Sequence, residues 1–263
     1  MKSSAPRTPS STPHAAHRRE LLLERLRVDG RLVAKDLAAE LGVSEDSVRR
    51  DLRDLAAAGM VQRVYGGALP ASPAVVGYAA RQEVSVAGKA RVAAVAAGLV
   101  RPGMTVLLDG GTTALAVTRA LPADLRATVV THSPTVAATL AEHPRVDVYV
   151  IGGRLFKHSV VACGAAAVEA AAAVSADLFL LGVTGVHPEA GLTTGDADEA
   201  AMKRALAARA AETYVLASAE KVGAASAFAV LGLDAVAGVI SDADPDGAPC
   251  RALAEAGVRL LPA

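Results

Sequence analysis

One chemical theme recurs at five places in the chain: small polar residues follow directly on a run of β-formers. Asp109-Gly110-Gly111-Thr112-Thr113 follows Thr105–Leu108, and Thr131-His132-Ser133 closes the run 128–131. Gly152-Gly153-Arg154 follows 146–151, Gly182-Val183-Thr184-Gly185 follows 178–182, and Ser218-Ala219-Glu220-Lys221 follows 213–217. Glycines let a ligand approach the backbone, while hydroxyls and helix N-terminal N–H groups suit a phosphate. Lys203 and Lys221 each offer a counter-charge. Alone, each motif reads as a turn, and Asp109 reads equally well as a helix N-cap. Together, at the carboxyl ends of strands of one sheet, they predict a site for a small anionic ligand. No glycine loop continues into Gly-Lys-Ser/Thr, and no dinucleotide fingerprint is present. His14, His17, His143, His158 and His187 lack metal-ligand spacing, the last three falling in expected turns, so neither metal nor cofactor is expected. Lys157 reads as a solvated loop lysine.

A second chemistry lies near the start. Val48, Leu52 and Leu55 recur at i, i+4 and i+7, which marks one face of a helix over residues 45–58. Arg50 and Arg53 fall nearly opposite that face, with Ser47 and Arg49 on its flanks. Ser44 is placed to cap the helix, and Glu45 and Asp46 follow where the helix dipole favours negative charge. A short amphipathic helix over 33–41 precedes it across the turn Gly42-Val43-Ser44, and 59–67 reads as strand, glycine turn and return. That order predicts a winged helix-turn-helix whose second helix enters the major groove. Arginine suits the work because its planar fork bonds bidentately to guanine or phosphate. Ser44, Ser47, Arg49, Arg50 and Arg53 are the candidate DNA-binding residues of the helix, and Arg63 and Tyr65 those of the wing.

The elements that must carry these motifs divide the chain. Residues 1–16 are polar with three prolines and no apolar core, which predicts a disordered tail and not a signal peptide. Residues 17–70 form the expected DNA-binding domain, 71–79 a linker, and 80–263 a larger α/β domain. In that domain a helical pattern runs over 80–100. Helical stretches then separate the five runs named above, and Phe228–Leu231 precedes a sixth run, Gly238–Ser241. Such alternation predicts a mainly parallel sheet covered on both faces.

Hydrophobic residues make up 52% of the chain but aromatics only 3%, so the core must be built from Ala, Val and Leu. Net charge is zero yet uneven. Residues 1–70 hold 12 Lys+Arg against 9 Asp+Glu, and the rest hold 15 against 18. A basic domain joined to an acidic one suits local DNA contact without general nucleic-acid adhesion. Cys163 and Cys250 are far apart and form no zinc pattern, so free thiols in a reducing cytoplasm are the default. No apolar run is long enough to span a membrane.

From about residue 17 to about residue 242 the chain resembles the DeoR family of bacterial transcriptional regulators. The likeness is carried by Val43-Ser44, Val48-Arg49-Arg50-Asp51-Leu52, Leu55 to Gly59, and Arg63-Val64-Tyr65-Gly66-Gly67-Ala68. In the larger domain the family's Asp-small-Gly-Thr-Thr matches Asp109 to Thr113, and its Gly-Gly-Arg/Lys matches Gly152-Gly153-Arg154. Its Gly-Leu-Thr-Thr followed by acids and a lysine matches Gly191 to Thr194, then Asp196, Glu199 and Lys203. Its Lys-x-Gly matches Lys221 to Gly223, with Lys221 as the implied anion contact. Three positions depart from the pattern. His132 replaces Asn, Thr184 replaces an acid, and Gly88-Lys89 stands for Glu-Lys. His132 and Thr184 therefore imply an altered ligand, or a site less dedicated to ordinary sugar phosphates.

The resemblance implies a larger domain similar in fold to ribose-5-phosphate isomerase and the coenzyme A transferases, taking phosphorylated sugars or related metabolites. The expected protein is a cytoplasmic homo-oligomer, dimer or tetramer. It represses carbohydrate-metabolism genes by binding double-stranded operator DNA until the metabolite releases it. The competing classes are a sugar-phosphate isomerase, which needs a positioned base near the substrate, and an architectural DNA binder, which needs no ligand pocket.

Overall fold

The structure is a computed structural model and describes residues 14–263. The expected tail, residues 1–16, lies outside the described residues except for its last three. The described chain forms two compact units that part between Ala71 and Ser72.

The first unit opens with α1 (Ala15–Asp29), so helix begins two residues inside the expected tail. It continues through β1 (Leu32–Val33), α2 (Ala34–Leu41), α3 (Glu45–Ala57), β2 (Val61–Val64) and β3 (Gly67–Pro70). Gly42 ends α2 at φ 64°, a left-handed backbone that costs glycine little. The strands form a small antiparallel sheet in the order β1-β3-β2. Gly67 is required by that sheet, because a Cβ there would meet the Leu32 carbonyl oxygen at 1.7 Å. Leu22 and Leu26 from α1, Leu37 from α2, Val48, Leu52 and Leu55 from α3, and Val61 from β2 close one core. Asp51 is buried among them and pairs with Arg18 at 2.5 Å, tying α3 to α1.

The second unit begins at Ser72. The stretch expected as a linker is packed instead: Ser72 is buried, and its hydroxyl donates to the Thr184 carbonyl. The helix expected over 80–100 is two, α4 (Tyr78–Glu83) and α5 (Val86–Leu99). They are broken at Ser85, whose φ of 48° cannot continue a right-handed helix. There follow β4 (Thr105–Leu108), α6 (Thr112–Ala120), β5 (Ala127–Thr131), α7 (Pro134–Leu140) and β6 (Val146–Val150). A hairpin of β7 (Arg154–Phe156) and β8 (Val161–Cys163) leads to α8 (Ala165–Ala172) and β9 (Ala176–Gly182). Next come β10 (Gly185–His187), β11 (Gly191–Thr194), α9 (Ala197–Ala207) and β12 (Ala210–Ala217). The chain closes with β13 (Phe228–Leu231), β14 (Gly238–Ser241), α10 (Ala248–Glu255) and β15 (Leu260–Pro262). His187, expected in a turn, is therefore a buried strand residue.

Among the described residues, seven strands form a wholly parallel sheet in the order β15-β14-β12-β9-β4-β5-β6. Side chains of one strand alternate between its faces. Val106, Leu108 and Leu180 thus pack with α5, α6 and α7 on one side, and Leu107, Phe179 and Leu181 with α8, α9 and α10 on the other. β10, β11 and β13 make a separate antiparallel sheet. The order of the large sheet decides the site, because it seats β4, β9 and β12 side by side at the centre. No helix among the described residues is long and apolar enough to cross a membrane.

Candidate functional site

The first unit presents an arginine-bearing helix. Ser44 caps α3, its hydroxyl accepting from the Ser47 N–H at 3.2 Å and lying 2.9 Å from the Ser47 hydroxyl. Arg49, Arg50 and Arg53 are exposed on α3, and Arg63 is exposed on β2. Tyr65 stands fully exposed at the tip of the wing. Arg49 is held by Glu45 one turn back, at 2.6 Å. Arg49 and Arg63 face one cleft between α3 and the wing, floored by Ala34, Leu52, Gly66 and Gly67. The geometry is a convex helix with guanidinium groups along one side, the shape that fits a major groove.

The second unit holds a cleft at the carboxyl ends of its central strands. Gly110, Gly111, Thr112 and Thr113 line it after β4, Gly182 and Thr184 after β9, and Lys221 after β12. Gly110 must lack a side chain, since a Cβ there would meet Val161 Cγ1 at 2.0 Å. Glu199 and Lys203 enter from α9, and Arg81 and Lys89 from α4 and α5. The charges are not balanced. Lys203 is neutralised, donating to Asp109 Oδ2 at 2.6 Å with Glu199 at 3.6 Å. Lys221 donates only to the Thr113 hydroxyl at 3.1 Å, and Lys89 to the carbonyls of Arg81 and Val84. Arg81 donates to the His158 carbonyl at 2.8 Å and to the Ser159 hydroxyl at 3.4 Å, while its buried Nε has no partner. Three buried cations thus rest on neutral oxygens. Burial lowers the pKa of each, and for Lys221 the loss of solvent and the nearby Lys89, Arg81 and Lys203 outweigh Glu220 and bring it down to about 8. Such a group of cations, beside the N-terminus of α6, suits an anion.

Behind the cleft stands Asp109, fully buried. Burial alone would raise its pKa, but Lys203 and His132 outweigh this and hold the carboxyl well below the usual range. Its Oδ1 lies 2.7 Å from His132 Nε2 and accepts from the Gly110 N–H, while Oδ2 accepts from the Gly182 N–H at 2.8 Å. Asp109 therefore braces the ends of β4, β5 and β9 and does not reach the cleft.

Comparison with known proteins decides the family. A model described as the DeoR C-terminal sensor domain matches residues 84–243, and one described as the DeoR-like helix-turn-helix domain matches residues 18–73. The chain belongs to the DeoR family. It is 32% identical to the HTH-type transcriptional regulator GlpR of Haloferax volcanii over 89% of this chain and 91% of that one. It is 29% identical to the HTH-type transcriptional repressor GlcR of Bacillus subtilis over 91% of this chain and 93% of that one. Among solved structures it is similar to ribose 5-phosphate isomerase A from Methanocaldococcus jannaschii, with 18% identity and a TM-score of 0.36, aligning 48% of this chain with 50% of that one.

In this DeoR-family sensor domain the five polar strand ends do not all converge. Thr131 and Ser133 are buried, with Thr131 Oγ1 accepting from the Ser133 N–H and Ser133 capping α7. Gly152, Gly153 and Arg154 are exposed, and Arg154 pairs with Asp198 at 2.6 Å. Asp196 caps α9, accepting from the Glu199 N–H at 2.9 Å, and Gly185 is packed against the Ala224 carbonyl. β5 and β6 lie toward one edge of the sheet, so their ends miss the central cleft. His132 is also removed from the cleft: its Nδ1 lies 2.8 Å from the Ala162 carbonyl, and it is wholly buried. The exchange of Asn for His thus alters the brace on Asp109 and not the lining. Thr184 does line the cleft, but its hydroxyl donates to Thr193 O and lies 2.8 Å from Ser226 Oγ. Sequence reasoning missed Arg81, Lys89, Ser159, Thr194 and Glu220 as lining residues. Lys89, Thr194 and Glu220 stand in the motifs Gly88-Lys89, Gly191–Thr194 and Ser218–Lys221, whereas Arg81 and Ser159 carried no local signal.

Proposed function

We propose that this DeoR-family regulator is a repressor of carbohydrate-metabolism genes and that a phosphorylated sugar or related metabolite releases it from DNA. The observation that carries the reading is the set of buried cations, Arg81, Lys89 and Lys221, on neutral partners at the end of the central strands. A phosphate supplies the missing negative charge and the acceptor that Arg81 Nε lacks. Gly110, Gly111 and Thr112 offer backbone approach and hydroxyl beside it. Arg50 and Arg53, with Ser44, Ser47, Arg49, Arg63 and Tyr65, contact operator DNA.

The protein acts in the cytoplasm as a homo-oligomer, because one winged domain covers too little DNA for high specificity. The metabolite shifts the population between subunit arrangements that match the half-site spacing and arrangements that do not. The shift equals the ligand's difference in affinity for the two. We read the cleft as a sensor and not as an isomerase site, because Thr184 offers no base and Glu199 is engaged by Thr194 and Lys203. Glu220, though its Oε2 has no partner among the described residues, accepts from the Ser218 hydroxyl and faces the buried lysines that a bound anion would share. Two variants test the division of labour. Arg50→Ala should weaken DNA binding and leave phosphate binding unchanged, and Lys221→Ala should leave DNA binding intact and abolish release. Loss of DNA binding in Lys221→Ala would make that lysine a structural residue and remove it from the sensor.

A further inference from the structure

The two edges of the large sheet differ. At one edge, β15 is only three residues long and carries Pro262, which lacks an N–H and so blunts pairing. At the other, β6 is five residues long, has neither Pro nor Lys, and pairs only with β5. The Ile151 N–H donates to Thr131 O, so the parity of the strand turns Tyr149 and Asp147 toward β5 in their backbone groups. The N–H and C=O of Val146, Val148 and Val150 consequently point outward, and no partner for them occurs among the described residues. The same edge is apolar. Tyr149 is 57% exposed, Val150 51%, and Leu155 at the start of the next hairpin 44%.

We propose that β6 is where this sensor domain pairs with a second copy of itself, antiparallel and in one register, joining two seven-stranded sheets into one. The strand is self-complementary under a two-fold axis through Val148. Val148 then faces its own copy, Val146 faces Val150, and Asp147 faces Tyr149, so the outward donors and acceptors meet and no like charges oppose. An interface that uses the same patch on both subunits is what a two-fold dimer requires. Buried valines would cover the apolar edge that a lone subunit leaves in water. The inference rests on the reading that the protein works as an oligomer.

The test uses the full chain. The mass of the unaltered protein in solution is measured by light scattering, and single-cysteine variants are oxidised. Cys163 and Cys250 are both buried, which keeps background crosslinking low. In the proposed register Val148→Cys places two thiols on a hydrogen-bonded pair with Cα atoms about 5.5 Å apart, within disulfide range. It should crosslink to a covalent dimer. Val146→Cys and Val150→Cys should stay uncrosslinked alone and crosslink when mixed. This pair of variants covers the case in which Val148→Cys fails to fold. A multimeric mass with no crosslink in either format overturns the β6 interface and keeps the oligomer. A monomeric mass at every concentration overturns both.

Discussion

The Asp109 carboxylate and the Lys203 ammonium meet at 2.6 Å with their side chains 0% and 3% exposed, directly behind the cleft. Each holds the other in its charged form against the cost of burial. Removing one partner leaves an uncompensated buried charge. Lys203→Met should therefore lower stability by about 3–5 kcal/mol, read from urea denaturation at pH 7. The folded pKa of Asp109 is depressed, so its contribution is whole above the unfolded carboxylate value of about 3.9 and drains away as pH falls below it. The unaltered protein should lose stability in that acid window, and the variant should lose less. An equal acid loss in both would show that the pair is not the source.

Lys221 carries the opposite sign. Burial, with Lys89, Arg81 and Lys203 nearby, brings it down to about 8 against the pull of Glu220. A bound phosphate favours the protonated form, so phosphate affinity should be full below pH 8 and fall as pH rises above it. Calorimetry with inorganic phosphate at pH 8 in buffers of different ionisation heat should report net proton uptake on binding. Between the folded value and the unfolded value near 10.4 the ligand-free folded state binds fewer protons, so its stability should rise with pH there. Affinity that is flat from pH 7 to pH 9 would remove Lys221 from the anion site.

Val160 lies in the left-handed region at φ 54°, a conformation that a β-branched side chain adopts at a cost. It sits in the turn of the β7–β8 hairpin beside His158 and Ser159, which Arg81 holds. Val160→Gly should relieve strain of about 1–3 kcal/mol and give back part of it as glycine flexibility, for a net gain of about 1 kcal/mol. The check is the midpoint of urea unfolding with its slope unchanged. A lower midpoint would mean that packing by the valine outweighs the strain.

How far the sequence could be read depended on the length of each signal. The helical face of Val48, Leu52 and Leu55 and the cap at Ser44 were legible, because period and capping chemistry are local. The strands of the parallel sheet other than β15 were legible as runs of Val, Leu and Ile between helices. The β7–β8 hairpin, β10 and β15 have three residues per strand, too short for a pattern to emerge, and β11 reads Gly-Leu-Thr-Thr with a single large apolar residue. The strand ends were read as one set because a sequence gives strand order in the chain and not in the sheet. Only the spatial order reveals that those of β4, β9 and β12 meet and those of β5 and β6 do not. The buried pair Arg18–Asp51 likewise joins residues that no local pattern connects.

Glu45 sits at the N-terminal end of the recognition helix and holds Arg49 at 2.6 Å. A carboxylate there repels phosphate and occupies a guanidinium that the proposed DNA contact would otherwise use. Glu45→Gln should strengthen binding to unrelated duplex DNA, and the slope of log affinity against log salt should steepen by about 1. Fluorescence titration at several salt concentrations measures it. Weaker binding with an unchanged slope would make Glu45 a support for Arg49 and not its competitor.

In the proposed function one chain couples DNA release to a phosphorylated metabolite. The direct measurement is fluorescence anisotropy of the full protein on DNA from just upstream of its own gene, with a scrambled duplex as control, challenged with a panel of sugar phosphates. The expected result is specific binding that one phosphate releases in the unaltered protein and that the same phosphate leaves in place with Lys221→Ala. Binding equal on both duplexes and lost with salt, or specific binding that no anionic metabolite alters, would contradict it.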